Sequence, residues 1–593
     1  MQRSSQASLK ATLITGRTLD QGRTLEIGKF SKEYMSKVAI IELSKQDMEK
    51  LGISSGSAVK VSSAYGQVVV KAVESAFTPQ GMAFIPMGPW ANAIVSPNTQ
   101  GSGMPTLKGI EVTIEKSEDH VLSLADFLHS YYGKKPFVDE VLSESQHNSS
   151  EQGTTTHKCV VCPFCGCLCD DLEVTVGSGR IVSIRYGCAI AEAKFVKHEE
   201  FRLTKPFIRR GEKPVFVSVD EAIEEAARIL VNAKYPLLYG WSSTSVEAMR
   251  LGIELTELLG GLIDLTTVTC HGPSIEALQE IGLVSATLGQ IKNRADVVVY
   301  WGSNPAQAHI RHMQRYTVLS KGVYRKTRKD RKLIVVDCRP THTAKMADLF
   351  IQVEPNKDYE LLTALRMIVN GYDIDCDVVA GVPKEKVYQL ANTLMDAKFG
   401  VIYFGMGLTM TQGKSRNIEE AIKLVQDLNK WTKFVITPMR GHFNVTGAGE
   451  ALTWITGFPF SVDFRRGFPR HSPGLTSATD ALAKGFVDAA LIIASDPVAH
   501  FPQQAVRHLA KIPLIVIDPK LSATASLADV FIPAAAVGIE QEGTAYRMDH
   551  VPLRLKKLID PPQGVLSDEE ILERLLAKVK KFKGVSAGVK DLE

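Results

Sequence analysis

The chain has 593 residues, 45% apolar and 23% charged, an ordinary globular composition long enough for roughly four domains. Lys and Arg total 69 against 65 Asp and Glu, and the resulting net charge of +4 gives no reason to expect a nucleic-acid track. The opening stretch MQRSSQASLKATLITGR has no apolar h-region and no apolar run reaches the roughly 18 residues that span a bilayer, so the chain reads as soluble and cytoplasmic.

Residues 10 to 118 carry short alternating runs such as SAVKVSSAYGQVVVKAVES broken by glycines, which predicts a β-barrel-like domain. One helix is predicted inside it, Lys45 to Leu51, closed by Gly52. Residues 142 to 157, LSESQHNSSEQGTTTH, show no apolar periodicity and read as a flexible linker between two globular pieces.

Five of the nine cysteines then fall within Cys159 to Cys169, followed by Cys188, Cys270, Cys338 and Cys376, a distribution that favours metal binding over a disulfide framework. Two ligand sets can be drawn from CVVCPFCGCLC. Cys159, Cys162, Cys165 and Cys169 match the ferredoxin spacing, although Asp170 replaces its usual proline; Cys162, Cys165, Cys169 and Cys188 serve a cubane equally well. Structural zinc is a third reading of closely spaced thiolates.

Beyond Cys159, β-branched runs alternate with helical stretches, the pattern of a parallel sheet covered on both faces. The pattern also repeats. VVVYW leads to Gly302-Ser303-Asn304-Pro305, then LIVVD ending at Asp337, with Asp348 following; ALIIA leads to Ser495-Asp496-Pro497, then LIVID ending at Asp518, with Asp529 following. PLLYGWSST likewise resembles GVIYFGMGL, and DLTTVTCHGPS resembles KFVITPMRGHFN, so two related α/β halves are expected. A tight turn after a strand offers N–H groups to phosphate, and an acidic strand end accepts from ribose. Each motif alone suits a structural loop as well; the repetition points to two nucleotide-bearing ligands. Neither a Walker A sequence nor a clean Rossmann G-x-G-x-x-G stands at these turns, which speaks against ATP and NAD.

Free cysteine is commonly a small buried apolar residue, and Cys270 could be one. Three features favour a ligand. It follows the apparent strand LTTVT, it adjoins His271, and Gly272-Pro273 forces a turn at the sheet edge. The matching point in the other half carries Arg440-Gly441-His442, which would bring a thiolate, imidazoles and a guanidinium to one cavity.

CPFCGCLCDD, TCHGPS, YWGSNPA, VVDCRPTHTAKMAD and ADVFIPAAAVGIEQEGTAYR resemble the B subunit of formylmethanofuran dehydrogenase, a relative of molybdenum- and tungsten-dependent formate dehydrogenases, across residues 158 to 580. LITGRTLDQG, LGISSGSAVKVSS and GPWANAIVSPNTQGSGMPTLKG resemble the D subunit, so the linker becomes a fusion joint. The resemblance implies a multi-domain molybdopterin oxidoreductase architecture. Its parts would be a double-psi type β-barrel at 1–120, a helix and linker at 121–157, a [4Fe–4S] domain at 158–210 and a catalytic α/β region at 211–593. It implies two molybdopterin guanine dinucleotides on one tungsten or molybdenum atom. Gly302, Ser303, Asn304 and Asp337 would hold one, Asp496 and Asp518 the other, with Thr15-Gly16-Arg17 and Trp90-Ala91-Asn92 closing over both. Cys270 falls on the metal-ligating cysteine, and His271 and Arg440 fall beside it: the guanidinium to hold formate, the imidazole to manage a proton near neutral pH. The cubane set becomes Cys162, Cys165, Cys169 and Cys188. Cys159, Cys167, Lys194, Arg185 and His442 keep no assigned role.

The implied reaction is reversible reduction of CO2 to formate, which a partner protein condenses with methanofuran in the first step of methanogenesis. The implied partners are an amidohydrolase-like A subunit, a C subunit, a polyferredoxin-type electron donor and a heterodisulfide reductase complex. The alternatives are a metal-free scaffold of a formyltransferase/hydrolase complex and a superfamily oxidoreductase with another substrate.

Overall fold

The computed structural model describes residues 7–145 and 153–585. Residues 146–152 of the predicted linker lie outside them. Thr155–His157, read as linker, already belong to a strand.

Six strands close into a barrel in the order β1-β5-β2-β4-β3-β6: β1 Ser8–Gly16, β2 Ile40–Leu43, β3 Ala58–Ser63, β4 Gly66–Glu74, β5 Met82–Pro86 and β6 Lys108–Lys116. The alternation that predicted them points Val59, Val61, Val70 and Ile114 inward. The predicted helix forms at Lys45–Leu51, where Ser44 accepts from the Asp47 N–H and Gly52 adopts the left-handed conformation (φ 62°). It is not the sole helix of this piece. Leu19–Ile27 and Lys32–Val38 lie between β1 and β2, capped by Thr18 and Ser31; with Gly22 and Gly28 nearby they carry little apolar periodicity for a sequence reading to find.

The remainder is built on two sheets. One has five parallel strands in the spatial order Leu349–Gln352, Lys332–Asp337, Val297–Trp301, Phe399–Phe404, Lys433–Pro438. The other has nine, and its parallel centre runs Val530–Pro533, Leu514–Asp518, Ala489–Ile493, Pro236–Gly240, Leu262–Leu265. Position by position these are the strands that resemble one another in sequence, so the two halves share one topology. They do not follow one another along the chain. The Cys270 strand joins the sheet of the late strands, and the Arg440 strand joins the sheet inserted between them. Local similarity pairs strands but carries no information about which sheet each one enters.

A smaller three-stranded sheet comprises β7 Thr155–Val160, β8 Leu172–Gly177 and β9 Arg180–Arg185. The cysteine loop connects β7 to β8, and Cys188 caps the helix Ala189–Val196 beyond β9.

Candidate active site

Cys162, Cys165, Cys167, Cys169 and Cys188 line one cavity of about 390 Å³ beside Arg311. The loop turns back on itself through Cys162 N–H to Cys169 O at 2.9 Å and Leu168 N–H to Cys165 O at 3.0 Å. Cys159 is exposed and is not part of that wall. Burial raises the Cys162 thiol well above its ordinary pKa, with Cys169, Cys165 and Cys188 adding to the shift. Burial pushes Cys169 up to about 12, against the pull of Arg315 and Arg311. These are protons that a bound metal would displace. Arg311 forks onto Asp171 at 2.6 and 2.7 Å, so the CDD sequence anchors the wall of this cavity.

The strand before Cys270 ends at Leu265, four residues earlier than the LTTVT reading placed it; Thr266–Thr269 form a 3-10 turn. That turn still lies at the carboxyl end of the sheet, and it places Cys270 and His271 where both N–H groups donate to Thr267 O. Cys270 is buried, its carbonyl accepts from Thr409 Oγ1 at 2.9 Å, and a Cβ on Gly441 would lie 3.9 Å from its sulfur. Burial raises its thiol, while the Gly441 N–H and the Arg17 and Arg440 guanidinia stabilise the thiolate. Cys270 and His271 from one half and Arg440 from the other are thus near enough for their charges to interact. Arg440 is 3% exposed, its Nε has no hydrogen-bond partner, and burial lowers its pKa against the opposing pull of Cys270 and Glu450.

His271 differs from the expectation of an imidazole poised near neutral pH. Its Nδ1 meets Ser274 Oγ at 3.0 Å and its Nε2 meets the Met439 carbonyl at 3.1 Å. Burial, then Arg440, lowers its pKa to about 3, so the ring is neutral and fixed. His442 bonds Thr266 Oγ1 at 3.3 Å, and its backbone pairs with Cys165. With Gly166 N–H donating to Gly441 O at 3.1 Å, the Arg440 loop and the cysteine loop are continuous.

A larger cavity, about 990 Å³ counting its open mouth, lies between the barrel and the five-stranded sheet. Gly302, Ser303, Asn304 and Asp337 form one wall, and Thr15, Gly16 and Arg17 stand in the other. The glycine turn is closely packed: a Cβ on Gly302 would lie 2.7 Å from Gly407 Cα, at a φ of 54°. Lys108 and Arg339 bring positive charge to the wall, and His309, whose Nε2 donates to Arg440 O at 2.8 Å, has an unpartnered Nδ1. The sequence reading missed Lys108, Arg339, His309 and the Gly405/Gly407 pair. Only GMGL carried a local signal, as the strand-end glycines facing Gly302.

The repeated motifs match atom for atom. Asn304 accepts from Thr343 Oγ1 at 2.7 Å, and Asp496 from Thr524 Oγ1 at 2.6 Å. Asp337 accepts from the Arg339 N–H at 3.4 Å, and Asp518 from the Lys520 N–H at 2.9 Å. Asp348 and Asp529 instead accept from Leu333 and Leu514 N–H at 2.7 and 2.9 Å, pinning the start of the neighbouring strand. The second aspartate of each pair is therefore architectural.

Several predicted binding residues are occupied by protein. Asp496, besides Thr524, takes the Ala523 N–H at 3.1 Å and the Lys29 ammonium. Burial pushes its carboxyl up, yet Lys29 outweighs that and holds it below the ordinary value. Trp90, Ala91 and Asn92 are buried, and Asn92 Nδ2 donates to Ala499 O at 2.8 Å, so this segment docks the barrel onto the nine-stranded sheet. Lys194, on the helix that follows Cys188, pairs with Glu26 of the barrel piece at 3.4 Å. Asp518 remains at a strand end, pushed up to about 7 by burial.

The residues fit the groups that the resemblance implies. A deep cavity with a glycine turn, facing basic residues and an acidic strand end suits a nucleotide diphosphate. A buried thiol beside a buried guanidinium whose Nε has no partner suits a soft metal with an anionic substrate.

Comparison with known proteins agrees. Residues 12–111 match the molydopterin dinucleotide binding domain family and residues 202–578 the molybdopterin oxidoreductase family. The chain is 54% identical over 427 residues to the B subunit of the tungsten-containing formylmethanofuran dehydrogenase 2 of Methanocaldococcus jannaschii, covering 71% of this chain and 98% of that protein. It is 43% identical over 130 residues to Protein FwdD of the same organism, covering 21% of this chain and 96% of that one. Among solved structures it is similar in fold to a chain of the formyltransferase/hydrolase complex FhcABCD of Methylorubrum extorquens bound to methylofuran. The TM-score is 0.52 at 24% identity, covering 64% of this chain and all of the other. This chain belongs to the molybdopterin oxidoreductases, as a member of the B-type formylmethanofuran dehydrogenase family carrying a dinucleotide-binding barrel in front.

Proposed function

We propose that this chain interconverts CO2 and formate, as the catalytic component of a formylmethanofuran dehydrogenase. The centre would be one tungsten or molybdenum atom held by Cys270 and two molybdopterin guanine dinucleotides. The observation that carries the reading is Arg440, a buried guanidinium without a hydrogen-bond partner for its Nε, set beside a buried thiol. The bound metal and pterins supply the two-electron chemistry. The chain's own residues do the rest. Arg440 presents a planar fork to a carboxylate, Cys270 offers a soft thiolate stabilised by the Gly441 N–H, and neutral His271 is locked beside it by Ser274 and Met439.

Residues 158–210 would form an iron–sulfur domain whose [4Fe–4S] cluster is held by Cys162, Cys165, Cys169 and Cys188. The exposure of Cys159 supports this set over the ferredoxin-spaced one. Five thiols on one cavity, one more than the four ligands a structural zinc takes, support a cluster over a zinc ion. The barrel, of double-psi type on this reading, would cover one dinucleotide with Thr15, Gly16 and Arg17, and Asp337 and Asp518 would meet the two nucleotides.

The relative's designation as one subunit of an enzyme supports work inside a multi-protein complex. Formate would pass to an amidohydrolase-like A subunit and on to methanofuran, and a polyferredoxin-type donor or a heterodisulfide reductase complex would supply electrons in the cytoplasm. Among the described residues no helix is long and apolar enough to cross a membrane. A metal-free scaffold is the second reading: the solved chain similar in fold belongs to a formyltransferase/hydrolase complex, a likeness of fold alone. Elemental analysis of the native complex with formate-dependent dye reduction decides between them. Tungsten or molybdenum near one per chain with turnover is expected; neither metal and no turnover would establish the scaffold.

A further inference from the structure

Four consecutive residues separate the two cavities. Ala308 lines both, His309 lines the larger one, and Ile310 and Arg311 line the cysteine cavity. Their backbone is held on both sides: His309 N–H donates to Pro305 O at 2.9 Å, and His312 N–H donates to His309 O at 2.8 Å. Gln307 Oε1 also accepts from the Leu19 N–H of the barrel piece at 2.6 Å. With Nε2 2.8 Å from the Arg440 carbonyl, the His309 ring bridges the larger cavity and the Arg440 loop.

That bond fixes the chemistry of the ring. A carbonyl only accepts, so Nε2 carries the hydrogen and Nδ1 of the neutral ring is a bare acceptor. Burial lowers the pKa of His309, the Arg440 carbonyl pulls the other way, and Arg17 adds to the fall, so the neutral form is the one present. His309 is 5% exposed, and its Nδ1 is closed off from water without a partner. A buried acceptor left unmet is uncommon and calls for a cause. His271, equally buried, has both nitrogens met, and His312, which also leaves one unmet, lines neither cavity. The missing partner must be a donor. The diphosphate of a dinucleotide offers acceptors only, which suits Lys108 and Arg339 in the same wall, whereas its fused heterocycles carry N–H groups. Because His309 is bonded to Arg440, beside Cys270, the heterocycle that reaches it is the pterin at the metal-binding end.

We propose that His309 Nδ1 accepts a hydrogen bond from an N–H group of the pterin held in the larger cavity, so that one imidazole joins the cofactor to the Arg440 backbone. The inference rests on the pterin reading above. His309 is then a positioning residue: it touches cofactor on one edge, holds the Arg440 carbonyl on the other, and makes the placement of the guanidinium depend on an occupied cavity.

The test uses the native complex with His309→Gln and His309→Asn, and reads the pterin and guanosine monophosphate that acid releases per chain. Glutamine sets an amide N–H where Nε2 stands, so it keeps the bond to Arg440 O but offers no acceptor at the Nδ1 position. Asparagine does the reverse, setting its amide oxygen at that position and falling short of the Arg440 carbonyl. Expected for His309→Gln is a loss of about tenfold or more in bound cofactor, the scale of removing an outer contact at a metal centre. His309→Asn should hold the parent's cofactor content and instead raise the KM for formate by about tenfold, the scale of one hydrogen bond. Parent-like cofactor content in His309→Gln overturns the contact and leaves His309 a prop for Arg440 alone. An equal loss in both variants overturns it too, and makes His309 a packing residue. If the parent complex itself releases no pterin, the functional reading fails and the contact with it; pterin retained equally by parent and His309→Gln removes the contact alone.

Discussion

Replacing Arg440 separates substrate binding from fold stability, because the structure sets the two effects in opposite directions. In the metal-free protein the Cys270 thiol is raised by burial, so the guanidinium has only half-buried Glu450 to offset its charge. Arg440→Gln removes an ion whose burial costs several kcal/mol, so the apoprotein should melt at the same temperature or higher. Catalysis should suffer. A carboxylate held by two charge-assisted hydrogen bonds gains roughly 1.5–3 kcal/mol from each, about 3–6 kcal/mol in all. The loss in kcat/KM for formate should then be about 10²- to 10⁴-fold. Arg440→Lys keeps the charge without the fork and should recover only part of it. The assay is steady-state dye reduction with formate on metal-loaded complex, beside calorimetry on the apo form. A kcat/KM within threefold of the parent would refute the substrate contact, and a marked fall in melting temperature would show that Arg440 serves the fold.

Cys188→Ser should abolish the cubane signal in electron paramagnetic resonance and Cys159→Ser should retain it; the reverse would restore the ferredoxin-spaced set. Cys270→Ser, a single-atom change, should still fold, yet lose CO2/formate turnover. Lys29→Met leaves Asp496 buried without its cation and should cost about 3–5 kcal/mol, seen as a lower denaturation midpoint. The Asp496 carboxyl is depressed in the folded state, so its contribution is present above the ordinary aspartate pKa and is lost as pH falls through the lower folded value. Acid unfolding below about pH 4 should therefore be steeper in the parent than in Lys29→Met, as two melting series will show.

The amino-acid sequence by itself determined the barrel strands, the Ser44-to-Gly52 helix, the cysteine loop and the existence of two like halves. These depend on period-2 alternation, caps and local spacing, all written within a few residues of each other. It also marked Gly302, Asp337, Cys270 and Arg440 as residues at or just beyond the carboxyl ends of sheet strands. What it could not determine is which copies enter which sheet, because parallel pairing is non-local: the Cys270 strand lies in one sheet with strands more than two hundred residues later, with the Arg440 half inserted between. Tertiary structure alone also decided the division of labour among the acids. Asp337 and Asp496 looked alike as strand-end carboxylates, yet one faces a cavity and the other is closed off by Lys29 from the barrel. Local pattern cannot forecast an ion pair between residues 467 positions apart, and such contacts fix which aspartates remain free for a ligand.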